Sequence, residues 1–492
     1  MGPMSPRSRP ARSLCPIALT LAALALATPA FAPSARADDA SNAQEIKKLR
    51  EELEAERAAR AALEKRLASV ERNPAAPTQD EIASQVETYL SEKSLFDAAP
   101  REATIPSAGS LIDVSVILDT HLGTSTAPNE AIPSIDLGDH DPHVRGFNCR
   151  NEEFVFSADV DPYFYGFMDV VYKIDESGDS QTELEEAYGV TTSLPCRLQL
   201  KFGQFFTEFG RTNATHPHSW EFHNYPVILG RVFGGDGWRG QGARLSWIVP
   251  ACFPLTVLVG AQNATGGTEA SFIGAEGGFL GEHEIRHRDV ANLSDLVYNA
   301  RVEASKDFCG PCGGTITALA GISGAAGPNG TGPDGYTDLL GADLYLKWKP
   351  KSTDAGWPWV AWQTEAVGRW YHAEEQVQQR DDGFGGLIDV PVGARRYDDW
   401  GLYSQVVYGF ARPWSIGARF DYAHSDGAFP GDHERASIAL SYYPSEFSRI
   451  RLQSQYDHVD GLSDAFAHVS DDNWSIWLGI DLSLGKHGAH KF

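Results

Sequence analysis

The chain has 492 residues, 22 % charged and 42 % hydrophobic, with a formal net charge of −25. Acidity of that size argues against a nucleic-acid partner, makes any attraction of anions depend on a locally basic cavity, and fits solvated acidic loops at a cell surface. Beyond the N-terminal segment no run approaches the roughly 20 consecutive apolar residues of a spanning helix, so a membrane role has to rest on strands.

Positive charge at Arg7, Arg9 and Arg12, an apolar run from Leu14 to Ala27 and then Ala35-Arg36-Ala37 read as a secretory signal peptide over 1–37. Its removal takes away four Arg and no acid, leaving a formal charge of −29. In 38–73, Ile46, Leu49, Leu53, Leu63, Leu67 and Val70 share one a/d register, with Glu56 and Arg60 at polar positions between them. That spacing predicts a short coiled coil in the periplasm, the alternative being a single solvated helix. Asn73-Pro74 and Pro77 end it, Thr78 with Glu81 offers a capping box for a second short helix through Ile82, Val86 and Leu90, and the rest of 74–110 is a linker.

From Leu111 the hydrophobic period changes from helical to two. Trp474, Ile476, Leu478, Ile480, Leu482 and Leu484 alternate with Ser475, Trp477, Gly479, Asp481 and Ser483, and Tyr298, Ala300 and Val302 oppose Asn299, Arg301 and Glu303. Lys201, Lys347, Arg419 and Arg451 fall on the same polar face as Arg301. Charges at alternate positions of long strands suit an aqueous lumen and not a dry sandwich core. About sixteen such segments, an even number, are joined alternately by tight Pro-containing turns and by long polar loops, the rim asymmetry of an outer-membrane barrel. Trp348, Trp357, Trp359, Trp370, Trp400, Trp414 and Tyr442-Tyr443 sit at strand ends, as interfacial girdles do. The fold expected is all-β: an antiparallel transmembrane β-barrel over 111–492.

One stretch interrupts the strands. Residues 205–239, FFTEFGRTNATHPHSWEFHNYPVILGRVFGGDGWR, hold three His, three Arg, two Glu, an Asp and two Trp in a pattern that is neither a clean helix nor a clean strand. A loop of that length with that aromatic content is functional, not disordered, and reads as folded inward to constrict a pore. Arg211, Arg231, Arg239 and Arg244 are candidates for the positive side of the constriction and Glu208, Glu221 and Asp236 for the side opposite, because opposed charges across a narrow pore orient and select solutes. The alternative for each is a structural pair that holds the loop down. His216-Pro217-His218, Glu221 and His223 form H-P-H-x-x-E-x-H, a ligand set for zinc or a similar divalent ion if they converge, and otherwise hydrogen bonds from loop to wall. No other cofactor is implied.

Five cysteines follow the signal: Cys149, Cys196, Cys252, Cys309 and Cys312. Cys309-Gly-Pro-Cys312 matches a redox tetrad in letters but lies between two strands, so a local turn disulfide or free thiols are expected; Cys196 and Cys252 fall at turns of one rim and could meet.

The run LEEAYGVTTSLPCRLQLKFGQFFTEFGRTNATHPHSW at 184–220, GWRGQGARLSWIVP at 237–250 and the tail GKHGAHKF resemble the phosphate-selective-type (O/P-like) porins and their relatives, some of which carry the label of zinc-regulated outer-membrane receptor. The resemblance covers roughly 150–250 and the last strand. It implies a homotrimer of sixteen-stranded barrels, each with its third loop in the lumen.

The expected function is passive diffusion of small hydrophilic solutes or ions across the cell outer membrane, with lipid around the barrel and the coiled coil, in the periplasm, as an oligomer contact and a further contact to peptidoglycan. Other classes are an uptake receptor or channel for metal ions such as zinc, and a barrel that tethers the envelope. An enzyme is not expected: Ser, His and Asp occur in any chain of this length and no G-x-S-x-G motif accompanies them.

Overall fold

The computed structural model describes residues 112–353, 356–381, 386–466 and 468–485. The expected signal peptide, coiled coil, second helix and nearly all of the C-terminal tail lie outside them. Sixteen strands form the wall: β1 (Asp113–Ser125), β2 (Glu152–Asp161), β3 (Phe164–Ile174), β4 (Ser180–Thr191), β5 (Leu198–Phe206), β6 (Arg239–Ile248), β7 (Leu255–Asn263), β8 (Leu296–Cys309), β9 (Thr315–Pro328), β10 (Tyr336–Lys349), β11 (Trp359–Ala373), β12 (Arg395–Ala411), β13 (Trp414–His424), β14 (His433–Ser445), β15 (Ser448–Val459) and β16 (Asp472–Gly485). Each pairs antiparallel with its neighbours in sequence, and β1 closes the ring on β16 from Ser115↔Gly485 to Ser125↔Ser475. The other edge of β1 is shared between β2, which pairs up to Ile117↔Glu153, and the short strand Gly146–Cys149, which begins at Thr120↔Cys149. Closure removes the open edges that a bilayer cannot accommodate.

The polarity of the wall is inverted relative to a water-soluble protein. On β16, Trp474, Ile476, Leu478, Ile480 and Leu482 are exposed, whereas Asn473, Ser475 and Asp481 are buried. On β14, Ile438 and Leu440 point out while His433, Arg435, Ser437 and Ser441 point in. This is the two-residue period read from the sequence, with the apolar face turned to where lipid lies. The rims also differ as expected. Turns 162–163, 192–197, 249–254, 310–314, 412–413 and 446–447 are tight, whereas 126–151, 207–238, 264–295, 374–394 and 460–471 on the opposite rim are long.

Inside, arginine and aspartate pair from strand to strand: Arg301–Asp343 (2.5 Å), Arg369–Asp399 (2.5 Å), Arg435–Asp457 (2.6 Å) and Arg449–Asp481 (2.5 Å), all with nearly inaccessible side chains. Charges buried in this way are tolerable only when partnered; removing one member costs about 3–5 kcal/mol.

The lumen departs from the expected wet interior. The loop 207–238 carries a helix, Val227–Phe233, whose seven residues are all buried, and it packs with Phe209, Tyr225 and Trp238 against Val297, Ala325, Leu339, Val367, Tyr403 and Ala423 of the inner wall. Small or apolar inward positions on β8–β13 thus receive an apolar plug. Glu185 is a second departure. The β3–β4 register runs Asp169↔Glu186 and then Val170↔Leu184, so Glu185 is the extra residue of a β-bulge and points inward beside Glu186, where strict alternation would have turned one of them out. Of the expected girdle, Trp400 and Trp414 are exposed on the outer face, while Trp357, Trp359 and Tyr443 instead line an internal cavity. The five cysteines are free thiols, and Cys196 and Cys312 both take a left-handed backbone (φ 61° and 56°) in Pro-Cys turns of the tight rim.

Candidate functional site

The infolded loop begins with a staple. Thr207 N–H donates to the Trp238 carbonyl (2.9 Å), and the Asn213 amide donates to the carbonyls of Thr207 (2.8 Å) and Trp238 (2.9 Å). Beyond the staple the loop crosses the lumen, where every buried backbone group needs a partner. Glu365 on β11 accepts from the N–H groups of Arg211 and Thr212 (2.9 Å each), Ser323 on β9 from Gly210 (3.1 Å), and Gln453 on β15 from His223 (2.8 Å). In the other direction, Arg449 and Arg451 of β15 donate to the Trp220 carbonyl (2.7 and 2.9 Å) and Arg419 of β13 to that of Asn224 (2.9 Å). Gly479 on β16 permits the closest approach. A Cβ there would lie 2.2 Å from His223, whose Nδ1 is 2.8 Å from Nε2 of His121 on β1.

Beneath the loop, toward the tight-turn rim, lies a cavity of about 650 Å³. Thr212, His216, Trp220 and Asn224 of the loop border it, and it reaches the rim at Trp357, Glu446 and Phe447. Glu153 on β2, Asp169 on β3 and Glu186 on β4 line one side; Lys347 on β10 and Arg211, stacked 4.1 Å over the Tyr345 ring, line another. In a ring of sixteen, β2–β4 and β10 are on opposite walls, so Glu153, Asp169 and Glu186 face Lys347 across a vestibule that also holds Lys201, Glu208, Glu221, Arg449 and Asp481.

This opposition is not the one expected from the loop alone. Of the seven constriction residues, Glu208, Arg211 and Glu221 line the cavity. The other four lie in local contacts. Arg244 binds Glu208 directly (2.7 Å), Arg239 bonds to Glu183 and lies 3.9 Å from Asp236, and Arg231 is buried with its guanidinium on the carbonyls of Ala423 (3.0 Å) and Gly431 (2.7 Å). Each of these buried guanidinium groups finds a carboxylate or carbonyl partner, because an unpaired buried charge is expensive.

The histidine motif also separates. His216 and His218 stack 5.8 Å apart beside the acidic wall, but Glu221 lies by Tyr443 and His223 by His121. Among the described residues, the groups whose ligand atoms lie within 4.8 Å of one another are Glu153, Asp169 and His216, and Asp139, His140 and Asp236. Only His216 of the expected set belongs to either. The signal that could have found its partners is a run of lumen-facing acids on three consecutive strands: Glu153, Asp169, Glu186.

A further motif, His283-Glu284-Ile285-Arg286-His287, matches in letters the H-E-x-x-H of metalloproteases. That chemistry needs both imidazoles on one face of a helix. Here His283-Glu284 is extended, His283 is buried on Tyr397 (2.9 Å) and Gly393 (3.0 Å), and His287 is exposed beside Glu276 and Asp289.

On the long-loop side, His140 faces two acceptors, the Arg150 carbonyl (2.7 Å) and Glu185 (2.9 Å). Burial pulls its pKa down, but Glu185, Asp236 and Asp139 outweigh that and push it up to about 9. Burial pushes the Glu269 carboxyl well above the usual range; the Trp238 indole N–H, donating at 2.7 Å, offsets only part of this.

No family model matches the chain. Among solved structures, the anion-selective porin from Comamonas acidovorans (8 % identity, 76 % of this chain and 99 % of that one, TM-score 0.44) and Pseudomonas putida OprB (13 %, 76 % and 94 %, TM-score 0.44) are similar to it. So is the outer membrane channel DcaP of Acinetobacter baumannii (12 %, 76 % and 96 %, TM-score 0.42). An uncharacterized protein of Aquifex aeolicus (strain VF5) is 31 % identical over 451 residues, which cover 85 % of this chain and 87 % of that protein. With that identity over nearly the full length of both, the chain belongs to the same protein family as the Aquifex aeolicus protein.

Proposed function

We propose that the protein is an outer-membrane channel through which small hydrophilic solutes or ions diffuse passively, with the loop 205–239 as the constriction. The observation that carries the reading is the inverted wall: a closed ring with lipid-compatible side chains outside, charges inside, and a polar vestibule beneath an infolded loop. Glu208, Arg211 and Glu221 are the loop residues that would meet a solute. The lining holds seven carboxylates (Glu153, Asp169, Glu186, Glu208, Glu221, Glu446 and Asp481) and five Lys or Arg (Lys201, Arg211, Lys347, Arg419 and Arg449), which favours cations. Phosphate selectivity is not part of the proposal, because the inner-wall arginines described above face aspartates. Assembly as a trimer in outer-membrane lipid is part of it, as is the contact of the N-terminal segment with peptidoglycan.

The test is single-channel conductance of the purified protein in a planar bilayer under a salt gradient. Stepwise openings with a cation-selective reversal potential are expected, and Lys347→Glu is expected to strengthen that preference. A second reading, a barrel shut at rest that serves as a structural or receptor protein, draws on the apolar plug of Val227–Phe233. A folded barrel that never conducts would favour it.

A further inference from the structure

We infer that Glu153, Asp169 and His216 form a binding site for a divalent transition-metal ion such as Zn²⁺, at the inner end of the vestibule, with the Glu185 carboxylate adjoining it. The ligand atoms of the first three all lie within 4.8 Å of one another. His216 Nδ1 is 3.4 Å from Asp169 Oδ2, 3.3 Å from Glu185 Oε2 and 3.9 Å from Glu153 Oε2. Ligands about 2.0–2.1 Å from a tetrahedral ion stand about 3.3–3.4 Å from each other, so these atoms are near the spacing that a shared ion imposes.

A second observation is independent of the spacing. Glu153 Oε2, both carboxylate oxygens of Asp169, Glu185 Oε2 and His216 Nδ1 have no hydrogen-bond partner outside this cluster, although the three carboxylates are only 0–1 % exposed. Buried polar atoms are almost always satisfied. Here the unsatisfied ones converge on one place, while the far atoms of the same side chains are held: Glu153 Oε1 by His218 (2.7 Å), Glu185 Oε1 by His140 (2.9 Å) and His216 Nε2 by Glu186 (3.2 Å). A carboxylate behind a ligand imidazole is the arrangement that orients metal-binding histidines.

The wall is also built toward the site at a cost. The bulge turns Glu185 inward, and Asp169 stands directly opposite Glu186 in the ladder, a like-charge pair that destabilises a sheet unless a cation answers it. The groups facing these acids are the imidazoles of His216, His218 and His140, with Arg239 3.6 Å from Glu185. One imidazole with two carboxylates selects first-row divalent ions over Mg²⁺ or Ca²⁺. Three protein ligands, all lining the cavity, leave positions open to the vestibule, the design of an exchangeable site and not of a closed structural one.

The experiment is equilibrium binding of Co²⁺ to the chelator-treated, detergent-solubilised full chain, read by visible absorption and by uptake per chain. Wild type is expected to take up one equivalent with a tetrahedral spectrum and to melt at higher temperature with Co²⁺ than without. Asp169→Asn and His216→Gln are expected to abolish both effects, and Glu185→Gln to weaken binding about 10–100-fold as an adjoining group. Folding of every variant is checked by its strand circular dichroism. A folded wild type that takes up no Co²⁺ overturns the inference, and so do Asp169→Asn and His216→Gln variants that bind like wild type. Binding is read without current, so neither result bears on whether the barrel conducts.

Discussion

Two walls of one lumen use the same residue types in different ways. Along β8–β16, each buried arginine meets an aspartate, and the pairs Arg301–Asp343, Arg369–Asp399, Arg435–Asp457 and Arg449–Asp481 close within the wall itself. Along β2–β4, Glu153, Asp169, Glu185 and Glu186 gather with no Lys or Arg of their own strands among their ion-pair partners, and what answers them comes from loop histidines and from Arg239 at the start of β6. The periodicity that turns a charge inward is the same on both walls. What differs is whether the neighbouring strand supplies the opposite charge, and that separates charges that hold the barrel together from charges left available to a ligand.

The comparison can be broken by substitution. Arg435 bonds to Asp457 (2.6 Å), to Asp136 (2.8 Å) and to the Ile135 carbonyl (2.7 Å), so Arg435→Met should cost about 3–5 kcal/mol by taking the guanidinium from two buried carboxylates; thermal unfolding followed by gel mobility would measure it. Gly479→Ala drives a methyl into His223 and should cost about 1–3 kcal/mol as overpacking. That loss should appear as faster proteolysis in the loop 207–238 rather than as loss of the strands. The Glu269 carboxyl gives the next effect. Its folded pKa lies above the unfolded value near 4.3, so the native state holds a proton that the unfolded chain has released, and stability falls as pH rises, by up to about 1.4 kcal/mol per pH unit until the folded pKa is passed. Melting temperatures from pH 4 upward should decline in wild type and stay flatter in Glu269→Gln. The smallest effect is the sharpest test: Asp169→Asn, measured in chelator, should change stability by less than about 1 kcal/mol or raise it, because it relieves like-charge repulsion. A loss as large as that of Arg435→Met would mean that both walls are structural.

The barrel was legible because a lipid-facing strand and a lumen-facing strand face share one two-residue period, which β16 displays without interruption from Trp474 to Leu482. The loop was legible as an interruption, but its content was not. Val227–Phe233 is apolar but for Arg231 and shows no helical stripe; Pro226 before it and Gly234, at φ 85° after it, were the available boundary marks. The His216 cluster was hidden for a different reason. Adjacency in sequence favoured His218, Glu221 and His223, whereas the 3-10 turn Pro217–Ser219 sends the chain on to β15 and β1, and the carboxylates at His216 arrive from three strands up to 63 residues earlier, one of them through a bulge that alternation does not foresee. The partners that Arg231, Arg239 and Arg244 take likewise depend on how little water the packed loop leaves, which no pattern of letters records.

The anchors of the infolded loop have a mechanical consequence. A ring of strands resists stretching along its hydrogen bonds but flattens easily into an oval. The segment 207–238 is tied to β9 at Ser323, to β11 at Glu365, to β13 at Arg419, to β15 at Gln453 and to β1 at His121, so it spans the ring like the spokes of a wheel. Squeezing the barrel from the side would load those spokes before it bent the wall, and the roundness of the ring is therefore a property of the loop as much as of the strands.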